Sequence, residues 1–135
     1  MIIGVGTDLV DIGRIEKAVG RFGKTFCDKI FTPAEQAACD SRVGKRRLSA
    51  YAMRFAAKEA CSKALGTGLR QGVFWRDMES VNLPTGKPEM RLTGGALKRL
   101  RDLTPAGHIA KIDVSLTDEP PYALAFVVIS AQKEG

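Results

Sequence analysis

Residues 54–68, RFAAKEACSKALGTG, gather the residue types best suited to chemistry in this chain. Alanines at 56, 57, 60 and 64 predict a helix that lets other backbone pack close. Glu59 and Lys63 stand four apart and so share one helix face. A lone carboxylate on a helix this basic suggests a bound metal or an anionic substrate. Asp8, at the end of an N-terminal strand, offers a second carboxylate. Read singly, each acid has a plain structural explanation: Asp8 as a helix cap, Glu59 as the surface partner of Lys63. Read together, they supply two hard oxygen ligands. Such a pair suits Mg²⁺, which takes one or two carboxylates and fills its octahedron with waters and substrate phosphates. Lys58 and Lys63 would neutralise those phosphates. Gly66-Thr67-Gly68 would offer them backbone N–H groups, or would simply cap the helix. These are the parts of a phosphoryl-type transfer, in which positioning and charge stabilisation dominate catalysis.

The elements that must position these residues can be read along the chain. Residues 2–9 alternate apolar and small side chains and predict a strand. Gly4 and Gly6 give G-x-G, but Leu9 stands where a dinucleotide fingerprint needs its third glycine. Residues 11–22 fit a helix with Ile12, Ile15, Val19 and Phe22 as one apolar stripe. At about 100° per residue, Arg14, Lys17 and Arg21 fall away from that stripe. They form either a solvated face or a docking face for an acidic partner. A short helical or irregular turn covers 26–31. Thr32-Pro33-Ala34-Glu35 then carries three helix-start signals, and a short helix runs to about residue 40. The long helix covers 47–65 and stops at Gly66.

Residues 68–75 read as a loop. Two strands, 77–83 and 88–92, flank the turn Pro84-Thr85-Gly86-Lys87. A second amphipathic helix, 93–103, turns Leu97, Leu100 and Leu103 inward. Strands 109–116 and 122–129 join across Pro120-Pro121, with His108 structural at the first one's start and a polar tail that frays after Ser130. The inventory is α+β: a single compact domain over 1–135, with an antiparallel-type sheet packed on one long helix and strands from both chain ends able to pair.

The composition, 44% hydrophobic and 27% charged, is that of a soluble globular chain. No apolar run reaches the length of a membrane span, and no basic region precedes the first apolar residues. Three widely spaced cysteines match neither a disulfide framework nor a metal pattern, which places reduced thiols in a cytoplasmic protein. A net charge of +6 predicts an anionic partner. A small basic RNA-binding α+β domain is the alternative, drawing on Lys45-Arg46-Arg47. It needs exposed sheet aromatics, and no strand among these residues shows an RNP-like pattern.

Gly4-Val5-Gly6-Thr7-Asp8-Leu9-Val10-Asp11, with Arg14-Ile15, resembles the N-terminal signature of bacterial holo-[acyl-carrier-protein] synthases, small trimeric 4′-phosphopantetheinyl transferases. Residues 54–60 and 63–68 resemble their second signature. Gly86-Lys87-Pro88 and residues 114–118 match two further stretches, all in the family's order. The resemblance implies transfer of 4′-phosphopantetheine from coenzyme A to a serine of apo-acyl carrier protein. It implies Mg²⁺ on Asp8 and Glu59, and Lys63 at the phosphates. Arg54, Lys58, Gly66, Thr67, Gly68, Lys87 and Pro88 are implied along the coenzyme A site, and Arg14, Lys17 and Arg21 at the docked carrier protein. It further implies a homotrimer with active sites between subunits, Asp8 and Glu59 meeting across or near that interface, and neither nucleic acid nor membrane as partner. Some members carry histidine where Asp113 and Asp118 stand, so no role of those histidines carries over.

Overall fold

The computed structural model describes all 135 residues. In chain order they form β1 (Ile2–Asp11), α1 (Ile12–Phe22), α2 (Lys24–Ile30), α3 (Pro33–Asp40), α4 (Lys45–Ala64), a 3₁₀ turn (Trp75–Asp77), β2 (Met78–Asn82), β3 (Pro88–Leu92), α5 (Gly94–Leu103), β4 (His108–Glu119) and β5 (Tyr122–Lys133). An antiparallel sheet in the order β1-β5-β4 joins the two chain ends, and β2-β3 form a separate hairpin. The α+β expectation holds, with α4 as the central helix.

The sheet meets α4 through its period-two alternation. Ala123, Ala125, Val127, Ile129 and Ala131 of β5 are buried on one face. On β1 that face carries Gly4, Gly6, Asp8 and Val10. Ala56, Ala57, Ala60 and Ala64 answer from α4. Contact is backbone to backbone: a Cβ on Gly4 would strike the Ala64 carbonyl, and one on Gly6 the Ala60 carbonyl. The two glycines step by about 6.6 Å along the strand while their partners step by about 6 Å along the helix, so the register is matched. The G-x-G therefore serves close packing; its Rossmann reading has no support in this geometry.

Several details depart from the sequence reading, among them β1, which runs to Asp11, and β4, which spans His108–Glu119. Residues 24–30 form a full short helix. Strand β5 does not fray at Ser130; it continues to Lys133 because Ala131, Gln132 and Lys133 pair with Ala110, Ile109 and His108 of β4, while Met1 and Ala131 exchange backbone hydrogen bonds on the other side, the Met1 amine donating to the Ala131 carbonyl at 2.7 Å. Phe22 does not join the core; it is 56% exposed under the Arg21 guanidinium, 5.2 Å from its ring centre. The other stripe residues of α1 pack as expected, with Ile15 buried. Finally, α4 begins at Lys45, two residues early.

The capping box at α3 is present and does more than start a helix. Thr32 N donates to Glu35 Oε1 at 2.9 Å and Glu35 N to Thr32 Oγ1 at 3.2 Å. The other Glu35 oxygen accepts Ser80 N of β2 at 3.0 Å. Burial also explains the cysteines: Cys27, Cys39 and Cys61 are free and buried, and desolvation pushes the Cys61 thiol up to about 12. They are inert core residues.

Candidate active site

Strand β1 delivers Asp8 to the helix-facing side of the sheet, and α4 delivers Glu59 and Lys63 to the same place. Lys63 Nζ lies 3.2 Å from Asp8 Oδ1 and donates to the Thr7 carbonyl at 3.0 Å. The plain explanations given for the acids both fail. The cap of α1 is Asp11, whose Oδ1 accepts Gly13 N at 2.8 Å, which leaves Asp8 free. The lysine four residues beyond Glu59 reaches across to Asp8 instead of back to Glu59.

Glu59 is the strained member of the group. Burial raises its pKa above the ordinary glutamate range, and the charge of Asp8 adds to the rise; Lys63 and Arg14 oppose it. No hydrogen bond contributes to holding its charged form. A half-buried carboxylate beside a second one is a place for a cation. No cluster of three or more metal-ligating side chains exists. Two carboxylates alone suit an ion that keeps waters or phosphates as its remaining ligands, which fits Mg²⁺.

Arg14 thus belongs to the electrostatic field of the acids as well as to the basic side of α1, where Lys17 and Arg21 are also exposed. Asp8, Glu59, Lys63 and Arg14 all come from one chain.

Three expected substrate contacts fall elsewhere. Lys58 is fully buried and cannot meet a phosphate. Its Nζ lies 2.6 Å from Glu35 Oε1 and donates to the carbonyls of Met78 and Trp75 at 2.6 and 3.0 Å. Burial pulls its pKa down while Glu35 works the other way. Arg54 is only 4% exposed, on the packed side of α4. Its Nη1 donates to the Ala50 carbonyl at 3.3 Å and its Nε has no partner. That enclosure does not support substrate contact within a single chain. The glycine loop is a helix cap: Gly66 N donates to Lys63 O and Gly68 N to Ser62 O, both at 3.0 Å. With both glycine N–H groups spent, the Thr67 N–H is the one backbone donor of residues 66–68 left to face a phosphate.

Lys87 and Pro88 line a groove of about 380 Å³ with Leu83, Met90, Leu97 and Asp113. None of Asp8, Glu59 or Lys63 borders it. Asp118 lines a separate hollow with Arg42, Arg46, Ser49 and Met53. In the sequence Arg46 stood out only within the basic run Lys45-Arg46-Arg47, and Arg42 carried no signal of its own. Arg99 had no sequence signal at all, yet its Nε donates to the Leu65 carbonyl at 2.9 Å, against the glycine loop.

The family model described as the 4′-phosphopantetheinyl transferase superfamily matches residues 4–127. The chain belongs to that superfamily. Among similar transferases is a holo-[acyl-carrier-protein] synthase of a Methylobacterium species, 61% identical over 134 residues, which cover 99% of this chain and 98% of that one. The crystal structure of the holo-[acyl-carrier-protein] synthase from Neisseria meningitidis superposes with a TM-score of 0.82 at 37% identity, covering 96% and 99% of the two chains. A Bacillus anthracis holo-(acyl-carrier-protein) synthase in complex with CoA (3′,5′-ADP) gives a TM-score of 0.76 at 32% identity, covering 100% and 99%.

Proposed function

We propose that this phosphopantetheinyl transferase moves 4′-phosphopantetheine from coenzyme A to a serine of apo-acyl carrier protein, releasing adenosine 3′,5′-bisphosphate. The observation that carries the reading is the meeting of Asp8, Glu59 and Lys63 on one surface, from elements more than fifty residues apart in sequence. In the reaction the serine oxygen bonds to the β-phosphorus, the bond from that phosphorus to the bisphosphate breaks, and the serine proton leaves. Asp8 and Glu59 would hold Mg²⁺, which when bound supplies charge neutralisation at the diphosphate. Lys63, tethered to Asp8 and the Thr7 carbonyl, presents its ammonium to the phosphoryl oxygens. The serine proton departs toward the carboxylate pair, the acceptors this surface offers.

Two further features belong to the reading. The outward face of the sheet carries Val5, Leu9, Leu124 and Phe126, between 39% and 61% exposed. Second and third copies of the chain are the occupants we assign to this face, as a homotrimer. That assembly gives the groove at Lys87 and Pro88 a way to share one coenzyme A with the acids of a neighbouring copy. The same face bears on the RNA-binding alternative. Tyr122 and Phe126 are exposed there, but Tyr122 lies between Asp11 and Glu119 and Phe126 between Thr7 and Ser115, and Lys111 on that face is tied to Asp113 at 3.6 Å. The exposed Arg14, Lys17 and Arg21 suit an acidic carrier protein. No helix is long and apolar enough to cross a membrane, and the three free thiols suit the cytoplasm.

Incubation with coenzyme A, Mg²⁺ and apo-acyl carrier protein, read by intact mass, tests the reading. The carrier should gain the mass of one phosphopantetheine, and chelation of the metal should abolish the gain. A carrier left unmodified at every metal concentration would overturn it. Light scattering should give three chains per particle; a monomer would remove the shared-site part.

A further inference from the structure

One cation near the acids has no part in the reading so far. The C-terminal end of α4 is closed by four hydrogen bonds. Leu65 N, Gly66 N and Gly68 N turn back onto the carbonyls of Cys61, Lys63 and Ser62. The fourth comes from outside the helix, from Arg99 of α5 to the Leu65 carbonyl at 2.9 Å. Such an end carries about half a negative charge, which repels a phosphate brought close to it. The lysines of α4 answer that repulsion only from the side of the acids, where Lys63 stands. Lys58 is sealed in the core, and Lys63 is held at Asp8 and the Thr7 carbonyl. Arg99 remains, on a part-exposed side chain.

The guanidinium is fixed through Nε, while its Nη2 lies 3.5 Å from where a Gly66 Cβ would stand. A planar fork held by one N–H keeps its other donors in a set direction, which lysine does not do. Leu65 follows Lys63 by two residues, roughly 3 Å along the helix axis. The two cations therefore flank the last turn of α4, one over the acids and one over the glycine loop.

We propose that Arg99 is a substrate-binding residue, its Nη edge donating to the diphosphate oxygens of coenzyme A as they pass Gly66. This rests on the coenzyme A reading above and adds a residue to it. Arg99 adds charged donors beside the Thr67 N–H, the one donor of residues 66–68 that the helix cap leaves unspent.

Calorimetric titration separates the possibilities. Coenzyme A and dephospho-coenzyme A, which lacks the 3′-phosphate but keeps the diphosphate, are titrated into the parent chain, Arg99→Gln and Arg99→Lys with Mg²⁺ present. Glutamine retains a donor for the Leu65 carbonyl and removes the charge. Arg99→Gln should weaken both ligands by about tenfold, the scale of one charge-assisted hydrogen bond. Arg99→Lys, which restores the charge without the fork, should recover only part of that loss, and the melting temperature should not move. Unchanged binding in Arg99→Gln overturns the proposal. Loss for coenzyme A alone also overturns it, by assigning Arg99 to the 3′-phosphate. Weakened binding matched by a fall in melting temperature reduces Arg99 to a helix cap. Should the parent chain bind both ligands yet transfer nothing to the carrier, the functional reading fails while the Arg99 result stands.

Discussion

Lys58 and Lys63 belong to the same helix and point about 140° apart around it, at roughly 100° per residue. Each pairs with an acid from another element, and the two pairs have opposite purposes. Lys58 meets Glu35 with both side chains at 0% exposure, and two carbonyls complete its shell. Lys63 meets Asp8 with its own side chain 51% exposed, at a surface where a third charge, Glu59, has no hydrogen bond to steady it. A pair with every donor assigned is architecture. A group left with charge to share is where a ligand can enter.

The sharpest way to break that contrast is to remove each lysine. Lys58→Ala leaves Glu35 buried and unpaired, and should cost about 3–5 kcal/mol in chemical denaturation. Removing both partners together, as Lys58→Met with Glu35→Leu, should recover much of the loss. Lys63→Ala, breaking a pair open to solvent, should cost no more than about 1 kcal/mol while lowering transfer. Equal destabilisation by the two alanine variants would erase the distinction.

Next in size are the acids. Asp8→Asn and Glu59→Gln should each lower transfer on the order of 100-fold, the scale of losing a charge-stabilising group. Glu59→Gln should melt no lower than the parent in chelator. The sign follows from the raised pKa: the folded state holds the Glu59 proton more tightly than the unfolded chain does. Its stabilising contribution is present below the ordinary glutamate pKa and lost as pH rises through the raised value. The neutral glutamine escapes that loss. For activity the sign reverses. A Glu59 that must be charged should make transfer at limiting Mg²⁺ fall, on acidification, at a pH above that expected for an ordinary glutamate, and saturating Mg²⁺ should move that fall to lower pH. A profile flat through that range would detach Glu59 from the reaction.

The smallest effect tests the rim. Arg14→Glu should raise KM for the carrier protein severalfold and flatten its dependence on salt, since screened charges steer encounter. Because Arg14 also lies in the field of Glu59, kcat should shift slightly as well. A change in kcat with carrier KM untouched would place Arg14 wholly on the acid side of the comparison.

Much of this was legible in the chain itself. Alternation of apolar and small residues located β1, the capping box at Thr32 located α3, and the alanines of α4 announced close packing. Asp8 and Glu59 could be paired from sequence because their residue types suit one ion. What could not be read was the direction of each side chain. Lys58 and Glu59 are neighbours in sequence, yet the facing of the helix sends one into the core and the other toward Asp8. Lys63 looked like the partner of Glu59 because four residues is the helical spacing; the strand that supplied Asp8 had no such local mark. Arg99 was hidden for the same reason, as its contact with Leu65 spans 34 residues. The continuation of β5 past Ser130 depended on pairing with His108 to Ala110 of β4, helped at Ala131 by Met1 from the opposite end of the chain.

Gly4 and Gly6 give the site an unusual kind of calibration. The gap between the carboxylates is gauged by main chain resting on main chain, with no side chain between to flex or repack. Adding one methyl group at Gly6 would drive the strand off the Ala60 carbonyl and carry Asp8 with it. Every acid and base would still be present, but the instrument would be out of true. In a comprehensive substitution survey, a residue with no functional group would then score alongside the acids it spaces.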